Sequence, residues 1–451
     1  MKPVTAPELI KQVIQPNYCS GCGVCTTHQV FKMKLNKHGQ YVPVLNSGQA
    51  EKTVVCPFAS HQVNENDLAQ EQFDTPGIKF HNEIGYYQKI YAGYVNEGNF
   101  RKNGSSGGSV SWFTHQLLSS REVDYIVHVS EQNQAVIRFN YNISDSLESN
   151  IKASKSKYYP TTLEASLQFI KEHEGKYAVV GLPCFIKGIN LLKKQDPLFE
   201  KRIRFSISLF CGHLKSTHYL SSLLAQFDTG NKLVKHFDFR HKTPGHKASD
   251  YSTKIVLDNG KSLIKNNQDL FGTNWGWGLF KLKACDYCDD IIGETADISF
   301  GDAWTPRYEN DYLGTNIVVV RNAGLEKIIR KNIDNQHLQY EEISPETLIE
   351  SQAGGFRHRR EGLAYRLYLQ QKKNQIIPEK RIKPEKIKSK KRRKLYKIRM
   401  QLQEKSFYSI NYNNIEKLKS ELMPLIRQLE QVYEHSAWTK FRLKLKKWLK
   451  K

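Results

Sequence analysis

The sequence has no long apolar stretch. No run in its 451 residues approaches the roughly 18 apolar residues that a membrane-spanning helix needs. The N-terminal stretch MKPVTAPELIKQVIQ lacks a charged start followed by an apolar block, which is the pattern of a secretory signal. We therefore expect a cytoplasmic protein. Because thiols stay reduced there, the eight cysteines are expected to serve metal or redox chemistry rather than disulfides.

Acidic residues are scarce in the last quarter of the chain. Residues 351–451 contain 29 Lys and Arg but only 8 Asp and Glu, so they hold 21 of the 23 net positive charges. The remaining residues are nearly neutral, and a chain of this length is expected to form about two to four domains. The basic residues form no recognisable nucleic-acid-reading motif, so we do not expect a nucleic-acid partner.

The first cysteine group is CSGCGVC with a distant VCPF. It consists of Cys19, Cys22, Cys25 and Cys56. A loop with Cys-x2-Cys-x2-Cys can bind three corners of a 4Fe–4S cube, and a distant Cys-Pro can bind the fourth. The alternative is structural zinc, but zinc sites usually pair two Cys-x2-Cys arms. The spacing therefore favours one 4Fe–4S cluster.

The second cysteine group is scattered. It consists of Cys184, Cys211, Cys285 and Cys288. The first two follow short apolar runs at 177–180 and 204–210, which indicate buried strands, and Leu-rich helical sequence follows each. We expect both at the carboxyl ends of strands, with Cys184 starting a helix. Spacing alone leaves two interpretations open: a four-cysteine cluster, or two inert thiols beside a lone Cys-x2-Cys arm.

A Gly/Ser-rich loop, FRKNGSSGGS, lies between a predicted strand at 91–95 and a helix starting near Ser109. Exposed amides at a helix start suit a phosphate group, and an ordinary turn is the alternative. Strands and helices alternate through residue 227. This pattern predicts an α/β fold with a mostly parallel or mixed sheet.

Several motifs follow one another in the order of a known family. They are CSGCGVC, FRKNGSSGG, SKYY, GLPCFIKG, FRHK and CDYCDDIIGETADISFGDAW. Over roughly residues 15–330 the chain resembles the β-subunit family of coenzyme F420 hydrogenases and dehydrogenases, which includes 7-hydroxymethyl chlorophyll a reductase. The resemblance implies three regions: a ferredoxin-like segment (1–75), an FAD-binding region (76–170) and a region with a central cluster (171–350). Charge and helical spacing add a fourth region outside the resemblance, a basic helical tail (351–451).

The resemblance also implies the cofactors FAD and two 4Fe–4S clusters, with the two cysteine groups as cluster ligands. The FAD contacts that it implies are Arg101, Ser106, Gly107, Gly108, Lys157 and Tyr158. It implies an oxidoreductase that passes electrons between a protein such as ferredoxin, the two clusters, FAD and a small-molecule substrate. The alternative is a non-catalytic electron-transfer or assembly subunit, for example in a surface-polysaccharide pathway.

Other polar residues in these motifs have two possible roles. His213 is a weak candidate for a proton relay, and Asp297 and Asp302 either contact a cofactor or cap turns. The basic run from Arg357 through His358 and Arg359 to Arg360 either binds an anionic group or forms a solvated turn.

The C-terminal region carries three patterns. The charged run from Lys380 to Arg399 predicts a linker or an exposed helix. Apolar residues then recur at helical spacing from Ile415 to Val432, which predicts core packing. The last sixteen residues, SAWTKFRLKLKKWLKK, place aromatic and Leu residues on one side of a helix and lysines on another. They predict peripheral contact with an anionic membrane surface, and packing on the body is the alternative.

Overall fold

The computed structural model describes residues 2–49, 51–60, 63–132 and 139–433. Short elements form the N-terminal segment. They are β1 (Val4–Thr5), α1 (Ala6–Leu9), β2 (Phe31–Leu35), β3 (Tyr41–Leu45), β4 (Thr53–Val54), α2 (Glu65–Phe73), β5 (Lys79–His81) and β6 (Gly85–Tyr87). They pair as three small antiparallel sheets, β1 with β4, β2 with β3 and β5 with β6. The CSGCGVC loop lies between α1 and β2.

The body alternates strands and helices. Its elements are β7 (Lys89–Val95), α3 (Phe100–Asn103), α4 (Ser109–Ser119), β8 (Tyr125–Glu131), β9 (Phe139–Ser144), α5 (Leu147–Lys152), α6 (Glu164–Glu172), β10 (Tyr177–Gly181), α7 (Pro183–Gln195), α8 (Pro197–Arg202), β11 (Ile203–Leu209), α9 (Thr217–Leu224), β12 (Val234–His241), β13 (Ser252–Leu257), β14 (Ser262–Asn266), β15 (Ile298–Asp302), α10 (Pro306–Glu309), β16 (Asn316–Val320), α11 (Ala323–Asp334) and β17 (Leu338–Glu342).

An eight-stranded mixed sheet forms the centre of the body, in the order β17-β7-β16-β15-β11-β10-β8-β9. The neighbours β8, β10, β11 and β15 run parallel, and the flanking pairs are antiparallel. The predicted α/β class with a mostly parallel or mixed sheet is therefore confirmed. Strands β10 (YAVVG) and β16 (NIVVV) are buried at every position, as expected for central strands covered on both faces. A separate antiparallel sheet contains β12, β13 and β14.

In the described part of the chain after the sheet, up to residue 433, the helices are α12 (Pro345–Ser351), α13 (Ala353–Arg359), α14 (Glu361–Lys372), α15 (Lys390–Phe407) and α16 (Ile415–Tyr433). The interpretation of Lys380–Arg399 as a linker or exposed helix is wrong in part, because α15 buries Leu395, Tyr396 and Ile398. Helix α15 has an apolar face that packs against the body, and the many charged residues around it obscure this pattern in the sequence. The predicted core packing of α16 is confirmed, since Leu418, Leu422, Leu429 and Val432 are all buried.

Two predictions about the C-terminal region have different outcomes. Within the described ranges, no helix is long and apolar enough to cross a membrane. The final segment SAWTKFRLKLKKWLKK lies outside the described residues, so its contact with a membrane surface stays a prediction. The four predicted regions also stay predictions.

Candidate iron–sulfur and flavin site

The four N-terminal cysteines lie together in the fold. Gly21 and Gly23 adopt φ values of 80° and 85°, which favour glycine and permit the tight loop between the first three thiols. All four cysteines are buried and line one small cavity. The backbone N–H of Gly21 donates to Sγ of Cys19 at 3.3 Å. The group is thus a set of buried sulfur atoms, at least one of which accepts a backbone hydrogen bond.

The second cysteine group is assembled from three loops. Cys184 is the second residue of α7, as predicted, and Cys211 lies two residues after the end of β11. Because β10 and β11 are parallel neighbours, these two cysteines leave the same edge of the sheet. Cys285 and Cys288 lie in and just after a short 3-10 turn, and Leu214 N donates to Sγ of Cys285 at 3.2 Å. Burial and then the charges of Cys288, Cys211, Cys22 and Cys285 raise the pKa of Cys184, so these thiols are close neighbours.

Helix α7 brings the two cysteine groups next to each other. Burial, and then the charges of Cys184 and Cys22, raise the pKa of Tyr141. This one side chain therefore lies near a cysteine of each group. A Cβ added at Gly188 on α7 would lie 3.0 Å from the side chain of Val24 in the CSGCGVC loop. Leu163 N donates to the carbonyl of Cys22 at 2.9 Å. The N-terminal segment is therefore fastened to the body beside Cys184.

Each group of four thiols fits a 4Fe–4S cube. Burial and then the charges of Cys22, Cys19 and Cys56 raise the pKa of Cys25 well above its ordinary value, so these thiols cannot all ionise without a compensating cation. Iron, if bound, would supply that cation and would hold the sulfurs as thiolates. In the part of the chain that the structure describes, no three His, Cys, Asp or Glu side chains converge enough to hold a single metal ion. A cube does not need that convergence, because its four thiolates bind four different irons.

Two arginines from the C-terminal helices are buried against the central cysteine loops. Arg359 donates from Nη2 to the carbonyls of Cys211 (2.6 Å) and Gly212 (3.0 Å), and from Nε to that of Asp290 (2.9 Å). Arg366 donates from Nε to the carbonyl of Asp286 at 2.6 Å. Both arginines are 1% exposed. Arg359 is therefore not part of a solvated basic turn, the alternative that the sequence left open.

The loop 285–294 also carries acidic side chains that pair with buried cations. Asp286 lies 2.6 Å from Nζ of Lys281, and Asp289 lies 3.2 Å from Nζ of Lys380. Glu294 pairs with Arg381 at 2.5 Å. Lys380 and Arg381 belong to the segment between α14 and α15. The segment that follows the sheet thus supplies much of the positive charge beside the central cysteines.

A cavity of about 800 Å³ opens beside the central cysteine group. This volume is within the roughly 300–1,000 Å³ range of cofactor and ligand sites. Its walls come from the Gly/Ser loop with the start of α4, from residues 209–215 including Cys211, and from α13, α15 and the end of α16. Among the described residues that line it, nine are Lys or Arg and one, Asp302, is acidic. The cavity therefore suits an anionic ligand.

The structure brings four of the six predicted FAD contacts to this cavity: Ser106, Gly108, Lys157 and Tyr158. Arg101 does not line it, since its guanidinium binds the carbonyl of Gly314 (3.0 Å) and Asp311 (2.5 Å). Gly107 does not line it either. A Cβ at Gly107 would lie 2.8 Å from Oδ1 of Asn316, so this glycine permits close packing against β16.

Two residues of the FRHK motif hold the Gly/Ser loop and its surroundings, and sequence analysis gave them no role. Lys242 donates from Nζ to the carbonyls of Arg101 (2.5 Å) and Ser106 (2.7 Å), which fastens both ends of the loop. Arg240 lines the cavity and pairs with Asp302 at 2.8 Å. Its Nε is buried without a hydrogen-bond partner in the described structure. The motif itself was the available signal for both residues.

The remaining predicted site residues divide between the cavity and the sheet. His213 lines the cavity, with its ring 4.4 Å from that of Trp275. Asp302 lines it as well, through its pair with Arg240. Asp297 instead accepts hydrogen bonds from N and Oγ of Ser206, both at 2.8 Å, and so links β11 to the start of β15.

These features agree with the comparisons with known proteins. The family model for the N-terminal part of the coenzyme F420 hydrogenase/dehydrogenase beta subunit matches residues 90–168, and the model for its C terminus matches residues 174–346. Together they cover more than half of the chain. The chain therefore belongs to an oxidoreductase family, that of the coenzyme F420 hydrogenase/dehydrogenase beta subunits. The helices that supply Arg359, Arg366 and the α15 wall of the cavity lie outside both matches.

Two curated relatives come from Methanocaldococcus jannaschii. A coenzyme F420-dependent sulfite reductase is 22% identical over 339 residues, which cover 71% of this chain and 46% of the relative. An uncharacterised protein is 24% identical over 248 residues, which cover 53% of this chain and 62% of the relative. The chain thus spans about half to three fifths of the length of these relatives. A chain of the F420-reducing hydrogenase complex from Methanosarcina barkeri is similar at 15% identity and a TM-score of 0.49, over 64% of this chain and 96% of that one.

Proposed function

We propose that this chain is an FAD-dependent iron–sulfur oxidoreductase with two 4Fe–4S clusters. One cluster would be held by Cys19, Cys22, Cys25 and Cys56, and the other by Cys184, Cys211, Cys285 and Cys288. The observation that carries the proposal is the arrangement of three features: two neighbouring groups of four thiols, and a cation-lined cavity that has Cys211 in its wall. A cavity of this size favours a catalyst over a subunit that only carries electrons.

The residues that would hold FAD are those that line the cavity near the Gly/Ser loop. Lys155, Lys157 and Arg240 supply positive charge for a pyrophosphate, and the N-terminus of α4 opens onto the same space. Lys242 stabilises the loop through its hydrogen bonds to the carbonyls of Arg101 and Ser106. When bound, the clusters would carry single electrons, and FAD would collect two of them and exchange a hydride with a substrate.

The proposed partners are a small-molecule substrate in the cavity and a one-electron carrier such as ferredoxin at the N-terminal segment. Lys32, Lys34 and Lys37 are exposed on that segment and could attract an acidic carrier protein. Coenzyme F420 appears in the name of one relative and is therefore the first substrate to assay.

The proposal is tested on anaerobically purified, reconstituted protein. We expect about eight iron, about eight acid-labile sulfide and about one FAD per chain, with flavin bands on a broad iron–sulfur absorption. Iron–sulfur absorption without flavin would instead support the electron-transfer or assembly subunit. A colourless protein that contains zinc would contradict both.

A further inference from the structure

The helices beyond the family match form part of the cavity wall. Arg392, Leu395, Tyr396 and Arg399 from α15 line the cavity, together with Tyr433 at the end of α16. A Cβ added at Gly276 would lie 3.5 Å from Nη2 of Arg399, so α15 lies against the turn that contains Trp275. The Trp275 ring in turn lies 4.8 Å from that of Tyr158. The C-terminal helices therefore shape a portion of the cavity that adjoins the proposed FAD contact Tyr158.

Two cations in this portion have no carboxylate partner within the described structure. Lys215 donates from Nζ to the carbonyl of Leu279 at 2.7 Å and lies 4.8 Å from the centre of the Trp275 ring. Arg399 donates from Nη2 to the hydroxyl of Tyr433, and its Nε is buried without a hydrogen-bond partner. The neighbouring cations Arg392 and Lys281 differ, because each forms an ion pair with a carboxylate.

His213 contacts the same Trp275 ring as Lys215 does. Its ring packs 4.4 Å from that of Trp275, and its Nε2 is buried without a hydrogen-bond partner in the described ranges. The histidine thus lines the cavity with a ring nitrogen that a ligand could pair.

Uncompensated cations and unpaired polar atoms in a largely buried wall are costly unless a ligand completes them. A carboxylate or phosphate would accept hydrogen bonds from Arg399 and Lys215 and from the imidazole of His213. A neutral ligand would leave the guanidinium of Arg399 without a compensating charge. The wall therefore selects for an anionic group.

We propose that Lys215, Arg399 and His213 form a subsite for an anionic group of the substrate, a carboxylate or a phosphate. The inference rests on the proposed function, in which the same cavity also holds FAD. Because Arg399 belongs to α15, the part of the chain beyond the family match would then determine the substrate class.

The test uses the FAD- and cluster-loaded protein. Inorganic phosphate and succinate are titrated separately at constant ionic strength, with binding followed by calorimetry and by the flavin absorption spectrum. We expect saturable binding of at least one of them, and the tighter of the two identifies the anionic group. Arg399→Gln should weaken this binding by about tenfold or more with unchanged FAD content, and Arg399→Lys should restore part of it.

Lys397→Gln is the matched control, because it removes one positive charge from an exposed position of the same helix. It should bind the anion as the unaltered protein does. The inference is overturned if neither anion binds saturably, if Arg399→Gln binds as well as the control, or if it loses FAD, which would place Arg399 in the flavin site. If the purified protein holds no FAD, the proposed function fails, while calorimetry still reports separately on the anion subsite.

Discussion

The two cysteine groups are neighbours, yet different interactions hold them. The N-terminal group lies among apolar side chains, and its four sulfurs come from a segment of fewer than sixty residues. The central group lies among buried charges, and arginines from α13 and α14 donate to the carbonyls of its loops. One group therefore depends mainly on a local loop, whereas the other depends on contacts between residues far apart in the chain.

This difference has an electrostatic consequence. Buried positive charge stabilises an added electron more than apolar surroundings do. Arg359 lies against the loops of Cys211 and Cys288. We therefore expect the central cluster to have the higher reduction potential, so that electrons would pass favourably from the N-terminal cluster to the central one.

The largest expected effect comes from Asp286, the residue that follows Cys285. Asp286→Asn would leave Lys281 buried without its ion pair and weaken the contact with Arg366, which lies 3.6 Å from Asp286. We expect a loss of about 3–5 kcal/mol in the free energy of unfolding, measured as a lower Tm of anaerobic protein. Asp269→Asn, at an exposed position, is the control and should leave Tm unchanged. Equal Tm values for both variants would contradict the importance of the buried charges.

A smaller effect is expected at the contact between the N-terminal segment and α7. Lys187 and Glu65 are both buried and form an ion pair at 3.0 Å. Burial alone would raise the pKa of Glu65, but the charges of Lys187, Lys380 and Arg381 outweigh it and lower that pKa. Because two cations remain near Glu65, Lys187→Met should cost somewhat less than Asp286→Asn, about 3 kcal/mol.

The double variant Lys187→Met/Glu65→Leu removes both charges and should recover most of the lost stability. Thermal unfolding of the two variants measures the difference. A single variant that costs under about 0.5 kcal/mol would show that the pair behaves like an exposed ion pair.

The third prediction separates the two clusters directly. Arg359→Gln removes a positive charge beside the central cysteines, so the reduction potential of the central cluster should fall by about 60 mV or more, equivalent to roughly 1.4 kcal/mol. The N-terminal cluster should keep its potential. Redox titration followed by electron paramagnetic resonance measures both, with the exposed Arg330→Gln as the control. A shift of the same size in both clusters would show that the arginine does not act locally.

The smallest predicted effect is a pH dependence of FAD binding, and it involves the proposed flavin site rather than the cysteine groups. Burial lowers the pKa of Lys157 to about 7. The charge of Lys155 lowers this pKa further, whereas the charges of Glu131 and Asp238 oppose the shift. The neighbouring His128 has a pKa lowered to about 3 by burial and by Lys157, so it stays neutral.

A bound pyrophosphate would raise the pKa of Lys157, so FAD binding and protonation of this lysine favour each other. FAD affinity should be constant below about pH 7. Above it, the affinity should weaken by a few-fold for each unit of pH, and by no more than about tenfold for each unit. Fluorescence of released FAD across this range measures the effect. Lys157→Met should bind FAD more weakly with a flatter pH profile. An unaltered profile in this variant would remove Lys157 from the site.

Much of the sheet could be predicted from the sequence. The apolar run at 177–180 lies in β10, the run at 204–210 ends one residue beyond β11, and the predicted helix start at Ser109 is the first residue of α4. Short β-branched runs bounded by turn residues leave few alternatives for such elements. The helical position of Cys184 followed from the same reasoning.

The C-terminal helices could not be predicted in the same way. The run from Lys390 to Arg399 is mostly charged, and its buried residues Leu395, Tyr396 and Ile398 are too few to produce a clear apolar period. The burial of Arg359 depends on carbonyl groups of Cys211 and Asp290, which are distant in sequence. Sequence patterns report local periodicity, whereas these contacts are set by tertiary packing.

The iron content and paramagnetic resonance spectra of two cysteine variants test the central claim most directly. The unaltered, reconstituted protein should hold about eight iron, and Cys22→Ala and Cys288→Ala should each retain about four. The two variants should keep different clusters, and only Cys288→Ala should alter the flavin spectrum, because Cys211 of the same cysteine group lines the cavity. About four iron in the unaltered protein, or the same cluster signal in both variants, would contradict the account of two separate clusters.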